Sequence, residues 1–384
     1  MPFDFGALGR HPDIEGPGLE ASDAADRLLL DEANERAAAS PLGPAPDEIV
    51  VVDDAYGAIA LGAAERFGAS AARPIRVHQD LVTGERALAE NAGRLALADE
   101  VVSMPFAPEL VAGARLVLVR LPRSLDRLDE VAGLVARHAA SDVAIVAGGR
   151  LKHMSLAMNE VLGRHFGRVD VSLARQKSRV LTASEPTPAA RTAAPAWPRR
   201  ERHEAEDLEV VAHGGVFAGS GIDIGTRFLL QHLGEAMPDA STAVDLACGS
   251  GVVATRLART RPGMRVVATD RSAAAAASAR LTAEANGVAE RVHVTRADGL
   301  EGLADASERF IVLNPPFHSD AAISTGIAAH LFADAARVLA PGGELWCVWN
   351  SHLRYRPLLE RTVGPTRQIA RNPKFTITAS VREA

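Results

Sequence analysis

The chain has 384 residues, 47% of them hydrophobic, with a formal net charge of −6 and a mean hydropathy of +0.02. That size and apolar content fill two cores of ordinary domain size rather than one. Only Cys248 and Cys347 are present, which excludes a disulfide framework and a cysteine zinc site, and no metal is expected.

Residues 1–47 read as an extension with one helix, Asp23 to Ala39, carrying Leu28-Leu29-Leu30 between Gly- and Pro-rich ends. Met1-Pro2-Phe3-Asp4 lacks the basic and apolar regions of a signal peptide, and no apolar run reaches the length of a membrane span. The chain is therefore expected to be cytoplasmic, with no membrane partner. Residues 48–182 alternate short apolar strands with amphipathic helical stretches, the pattern of a parallel sheet wrapped on both faces. Residues 183–207 are rich in Pro, Ala, Thr and charge without apolar periodicity, which predicts a flexible linker. Residues 208–384 repeat the strand–helix alternation.

The two alternating parts overlay at a spacing of roughly 190 residues. Ile49-Val50-Val51-Val52-Asp53 matches Thr242-Ala243-Val244-Asp245, Asp80 matches Asp270, and Arg120-Leu121-Pro122 matches Asn314-Pro315-Pro316. On this reading Ile59 stands where Gly251 stands. The fold class is α/β, two tandem domains of shared ancestry, the first keeping the fold and lacking the site.

In the second part, an apolar strand runs into Asp245-Leu246-Ala247-Cys248-Gly249-Ser250-Gly251, where glycines allow a sharp turn and close ligand approach. A second strand ends at Asp270, about 20 residues on, the distance at which a carboxylate meets ribose hydroxyls. The third glycine of the dinucleotide fingerprint is missing, which argues against NAD. Asp270 can equally be a helix N-cap, and Asp298, after a third strand, a surface turn aspartate. Phe310-Ile311-Val312-Leu313 then enters Asn314-Pro315-Pro316-Phe317. Two prolines fix two φ angles and remove two donors. The turn therefore offers carbonyls and the Asn314 amide beside an aromatic ring, which suits a planar substrate with an exocyclic amine.

Residues 210–380 resemble a class I S-adenosylmethionine-dependent methyltransferase, and most nearly the duplicated-domain bacterial ribosomal RNA guanine-N2 methyltransferases. The resembling stretches are Gly215 to Thr226, Asp245 to Gly251, Asp270 and Asn314 to His318. The tail, with Trp349-Asn350-Ser351-His352 and Asn372-Pro373-Lys374-Phe375, is more similar to the large-subunit enzyme than to its small-subunit relative. The first part resembles that family's degenerate, RNA-binding domain. The resemblance implies S-adenosylmethionine as donor, held by Phe217, Asp223, Thr226, Asp245, Ala247, Gly249, Gly251, Asp270 and Asp298. It implies that Asn314, Pro315, Pro316 and Phe317 carry the transfer, with Asn314 Oδ1 and the Pro315 carbonyl accepting the amine protons and Phe317 stacking on the base.

The implied partner is ribosomal RNA, 23S favoured over 16S, met by a monomer at an unpaired or flipped guanine. Net charge does not advertise this partner. Arg354, Arg356, Arg361, Arg367, Arg371 and Lys374 in the tail, with Arg175, Lys177 and Arg179 in the first part, are expected to meet phosphate. Two alternatives stand beside it: transfer to adenine N6 or a protein glutamine, and a non-catalytic RNA-binding assembly protein with a vestigial donor pocket.

Overall fold

The computed structural model describes residues 3–16, 18–39, 43–316 and 321–383, with the backbone alone for 321–325, and divides into units of residues 1–197 and 198–384. In the first unit the order is α1 (Ala24–Ala39), β1 (Ile49–Val52), α2 (Ala58–Phe67), β2 (Ile75–His78), α3 (Val82–Arg94), β3 (Val101–Ser103), α4 (Pro108–Val111), β4 (Leu116–Arg120), α5 (Leu125–His138), β5 (Ala144–Arg150), α6 (Leu156–Gly163), β6 (Phe166–Val171), β7 (Ser178–Pro186) and α7 (Pro188–Thr192). In the second it is β8 (Arg199–His203), β9 (Leu208–Ala212), α8 (Ile224–Leu230), β10 (Thr242–Leu246), α9 (Val252–Thr260), β11 (Arg265–Asp270), α10 (Ala273–Ala285), β12 (Val292–Arg296), β13 (Glu308–Leu313), α11 (Ala321–Val338), β14 (Leu339–Asn350), α12 (Arg356–Thr362), β15 (Thr366–Arg371) and β16 (Phe375–Val381).

Each unit holds a seven-stranded sheet, ordered β3-β2-β1-β4-β5-β7-β6 and β12-β11-β10-β13-β14-β16-β15. The first five strands in each order are parallel, and the last pairings are antiparallel. The central strands read as continuous apolar runs because helices cover both faces. Val50, Val52, Val117 and Val119 pack on one face of the first sheet, Val51, Val77 and Leu118 on the other.

Two segments differ from expectation. Residues 1–47 are not a separate extension. Leu28, Leu29 and Leu30 are buried in one cluster with Val51, Val77 and Leu118, so α1 is part of the first core. Residues 183–207 are not a flexible linker either. β7 continues to Pro186 inside the sheet, Thr187 caps α7 by accepting from Ala190 N at 3.1 Å, and Trp197 Nε1 donates to Asp129 Oδ2 at 3.0 Å. Beyond it β8 and β9 form a hairpin whose backbone is tied to α10. Val211 N donates to Thr282 Oγ1 at 3.0 Å, His213 N to Ser278 Oγ at 2.9 Å, and Glu209 N to Asn286 Oδ1 at 3.0 Å. Polar side chains on a neighbouring helix satisfy this strand, which an apolar-periodicity reading does not register.

The ladders also correct the internal alignment. With Leu118 matched to Val312, pairing places Val51 where Asp245 stands. The same step through the next ladder places Gln79, not Asp80, where Asp270 stands. Asp53 (φ 60°) then matches Ala247 (φ 57°), and Gly57, not Ile59, matches Gly251 as the residue before the helix that follows the first strand of its sheet. The first unit keeps the helix-starting glycine and replaces Asp245 by Val51, Gly249 by Ala55, Asp270 by Gln79 and Asn314 by Arg120.

Candidate active site

The second sheet reverses its winding at β10, which has β11 on one side and β13 on the other. Ligands of open α/β sheets sit outside the strand ends at such a switch point. Asp245, Asp270 and Asn314 stand at the neighbouring ends of β10, β11 and β13.

Asp245 is buried in β10, and its Oδ2 accepts from Ala254 N at 2.9 Å in the first turn of α9. Burial pushes its carboxyl up to about 7, and the nearby charge of Asp270 adds to the effect. Ala247, Gly249 and Gly251 all have left-handed backbones, with φ of 57°, 54° and 75°. At Gly251 glycine is required twice over. A Cβ there would lie 2.8 Å from Ala279 Cα, because α9 starts directly against α10.

Asp270 ends β11 and faces this loop. Its Oδ2 accepts from Gly249 N at 2.9 Å and its Oδ1 from Ser272 N at 2.9 Å. The N-cap of the following helix is Ser272, whose hydroxyl accepts from Ala275 N, so Asp270 is not that cap. Asp298 follows β12, with His330 Nε2 at 3.5 Å from its Oδ2, and that carboxylate holds His330 above its ordinary pKa. Sequence reasoning missed His330, since nothing local in α11 marks a histidine that faces a loop over 30 residues away.

Asp223 caps α8, its Oδ2 accepting from Gly225 N at 2.8 Å and Thr226 N at 3.2 Å. Thr226 Oγ1 in turn accepts from Asn314 Nδ2 at 2.9 Å. Thr226, expected at the donor, thus meets the residue expected to hold the acceptor. Asn314 Oδ1 is buried and has no hydrogen-bond partner among the described residues. An acceptor left so costs about 1–3 kcal/mol, relieved when a donor reaches it. Pro315 is buried and Pro316 exposed, while Phe317 and His318 lie outside the described residues. Phe217 is 43% exposed on the turn before α8.

These residues fit S-adenosylmethionine by their chemistry. Carboxylates on β10 and at the end of β11 flank a loop of left-handed backbone, suited to a diol and a cation, and the unsatisfied acceptor lies at the adjacent strand end. In the first unit the corresponding edge is filled from within. Arg127 donates from Nε and Nη2 to the two Asp53 oxygens at 2.9 Å each, and its guanidinium lies 4.1 Å from the centre of the Phe106 ring. Arg120 pairs with Asp26 Oδ1 at 3.4 Å and Asp23 Oδ2 at 3.6 Å.

Comparison with known proteins agrees with this division. Residues 2–187 match the RLMG N-terminal domain and residues 207–379 the methyltransferase small domain. The chain is 36% identical to the ribosomal RNA large subunit methyltransferase G of Pseudomonas paraeruginosa, over 98% of this chain and 97% of that one. It is 34% identical to the protein of that name from Streptomyces coelicolor, over 100% and 99%. Among solved structures, the T. thermophilus 16S rRNA N2 G1207 methyltransferase in complex with AdoMet and guanosine matches with a TM-score of 0.75 at 20% identity, over 96% of this chain and 97% of that one.

Proposed function

The chain belongs to the ribosomal RNA large subunit methyltransferase G family, and from that premise we propose that it methylates the exocyclic N2 amine of a guanine in 23S ribosomal RNA. It is an S-adenosylmethionine-dependent ribosomal RNA methyltransferase. When bound, the donor supplies an electrophilic methyl group on a sulfonium.

The observation that carries the reading is the Oδ1 of Asn314 at the end of β13, buried and without a partner among the described residues, one strand from the Asp245–Gly251 loop. An aromatic amine is a poor nucleophile while its lone pair is delocalised into the ring. Acceptance of its N–H groups by Asn314 Oδ1 and the Pro315 carbonyl turns that lone pair out of conjugation and toward the methyl group. Positioning of this kind supplies much of the acceleration in a displacement. Asp270 holds the donor's ribose, on a loop it already orders. The amine can lose its proton after alkylation, so no general base is assigned.

We read the RNA contact as shared by both units. Leu151 N donates to Lys177 O at 2.9 Å and Ser351 N to Lys374 O at 2.9 Å, so each unit presents an exposed lysine at the same hairpin turn. Lys152, Arg354 and Arg371 are exposed as well. Arg175, Arg356 and Arg367 are engaged by Asp31, Glu360 and Glu344, and contribute less to this reading than their number suggests. Phosphate contact predicts affinity that falls steeply with salt. No helix among the described residues is long and apolar enough to cross a membrane. We take the enzyme to act as a monomer in the cytoplasm, where its ribosomal RNA substrate is made.

The decisive experiment is incubation with labelled donor and separated ribosomal RNAs, followed by nucleoside analysis. N2-methylguanosine in 23S RNA is expected. N6-methyladenosine, or label in protein, would transfer the reading to those amines. Donor binding without any transfer would support an assembly protein instead.

A further inference from the structure

Thr226 sits in the first turn of α8, and its contact with Asn314 joins residues 88 positions apart. We propose that Thr226 is a positioning residue for methyl transfer, which fixes the Asn314 side-chain amide so that Oδ1 faces the substrate amine. This rests on the reading above that Asn314 accepts from that amine.

An asparagine amide can turn by 180°, exchanging its oxygen and nitrogen. One orientation offers an acceptor to an incoming N–H, while the other sets N–H against N–H. A hydroxyl can accept or donate, so Thr226 anchors the amide, and in this structure its Oγ1 accepts from Nδ2 and leaves Oδ1 buried and without a hydrogen-bond partner among the described residues.

The partner is itself held firmly. Asp223 accepts from the backbone N–H groups of Gly225 and Thr226. A Cβ on Gly225 would come within 2.9 Å of Phe375 Cε1, so α8 lies flush on β16 and cannot shift without losing that contact. A hydroxyl on so rigid a base orients the amide at little entropic cost.

The first unit carries the same device in a changed form. There α1 packs on β5 and β7 as α8 packs on β14 and β16. Its Asp26 reaches Arg120, the counterpart of Asn314, at 3.4 Å. In both units the helix before the first central strand grips the residue that ends the fourth strand of the sheet order. Where that residue is arginine the grip is an ion pair, and no outward acceptor is left.

The test compares Thr226→Val, which removes the hydroxyl at nearly constant shape, with Thr226→Ser, which keeps it. Three readouts are needed: turnover on ribosomal RNA at saturating donor, donor affinity by calorimetry, and the Asn314 side-chain amide resonances of the ligand-free protein. Thr226→Val should lower turnover about tenfold, the worth of one hydrogen bond to a reacting group, and shift the Asn314 resonances. Donor affinity, which the expected place of Thr226 at the donor also touches, should fall by less than turnover does. Thr226→Ser should restore both signals, and Thr226→Val should add no further loss to Asn314→Ala.

The proposal is overturned by wild-type turnover in Thr226→Val, by donor affinity that falls in step with turnover, or by a serine variant as impaired as the valine one. Near-normal transfer by Asn314→Ala would instead sink the reading of Asn314. The amide resonances would still decide whether Thr226 holds it.

Discussion

Asp270 Oδ2 accepts the backbone N–H of Gly249 at 2.9 Å, while the other oxygen of the same carboxylate accepts that of Ser272. One side chain therefore ties the loop after β10 to the start of α10, and the crevice keeps its shape before any ligand arrives. Asp270→Ala removes both ties together with the proposed ribose contact. Donor affinity should fall about 10- to 100-fold, the loss of one or two hydrogen bonds to a charged group. Calorimetry reads this directly, and unchanged affinity would remove Asp270 from the donor site.

Asn314→Ala deletes the unsatisfied acceptor and leaves the Asp245–Gly251 loop untouched. Turnover should drop by about 10²-fold or more, comparable with the loss of a preorganised electrostatic group elsewhere. Donor affinity should hold within about twofold. Turnover within a few fold of wild type would show that the amine is oriented by something else.

Much of the second unit was legible in the sequence. The apolar run ending at Leu313 and the two strands ending near Asp245 and Asp270 are fixed by local composition, and the structure makes all three parallel neighbours inside one sheet. What stayed hidden depends on contacts between distant positions. The hydrogen bond from Asn314 to Thr226 and the approach of His330 to Asp298 arise from how helices settle on the sheet. The hairpin at 199–212 escaped because its partners are the polar side chains of Ser278, Thr282 and Asn286. The internal alignment slipped by two residues at the first strand, since a run of Ile and Val followed by Asp53 imitates one that ends in Asp245. Backbone register settles such a slip, and composition does not.

Gly251 should tolerate no side chain. Its φ of 75° acts together with the close approach of α10, whose Ala279 Cα would stand 2.8 Å from a Cβ at this position. Gly251→Ala should destabilise the protein by about 1–3 kcal/mol, as overpacking does, and weaken donor binding. Thermal unfolding unaffected by the substitution would contradict this packing.

Asp245 makes stability depend on pH. Its carboxyl is raised by burial to about 7 from an ordinary 3.8, so the fold favours the neutral acid. The stability it contributes is fully present below the ordinary value and is lost as pH rises through about 7. Asp245→Asn mimics the neutral form. Its advantage over wild type in unfolding free energy should grow between pH 4 and pH 7 and then level at a few kcal/mol. A cationic ligand in the crevice favours the ionised form, so donor binding near pH 6.5 should release a proton. Calorimetry in two buffers of different ionisation enthalpy measures it, and a heat identical in both would refute the coupling.

The first unit fills from within the strand ends that form the candidate site in the second. Arg127 is buried, forks Asp53 through two hydrogen bonds and rests on Phe106, so the edge carries its own cation. Removing one partner of such a pair leaves a charge without compensation, at a cost of about 3 kcal/mol. Arg127→Ala should therefore lower stability to denaturant without altering donor affinity. Val51 and Gln79 stand where Asp245 and Asp270 would be needed, so the variant should gain no second donor site. Calorimetric stoichiometry should remain one donor per chain in both proteins. A second site opened by Arg127→Ala would mean that the arginine occludes a pocket still competent to bind. A stoichiometry of one together with lost stability would mean that the arginine is a structural part of that sheet.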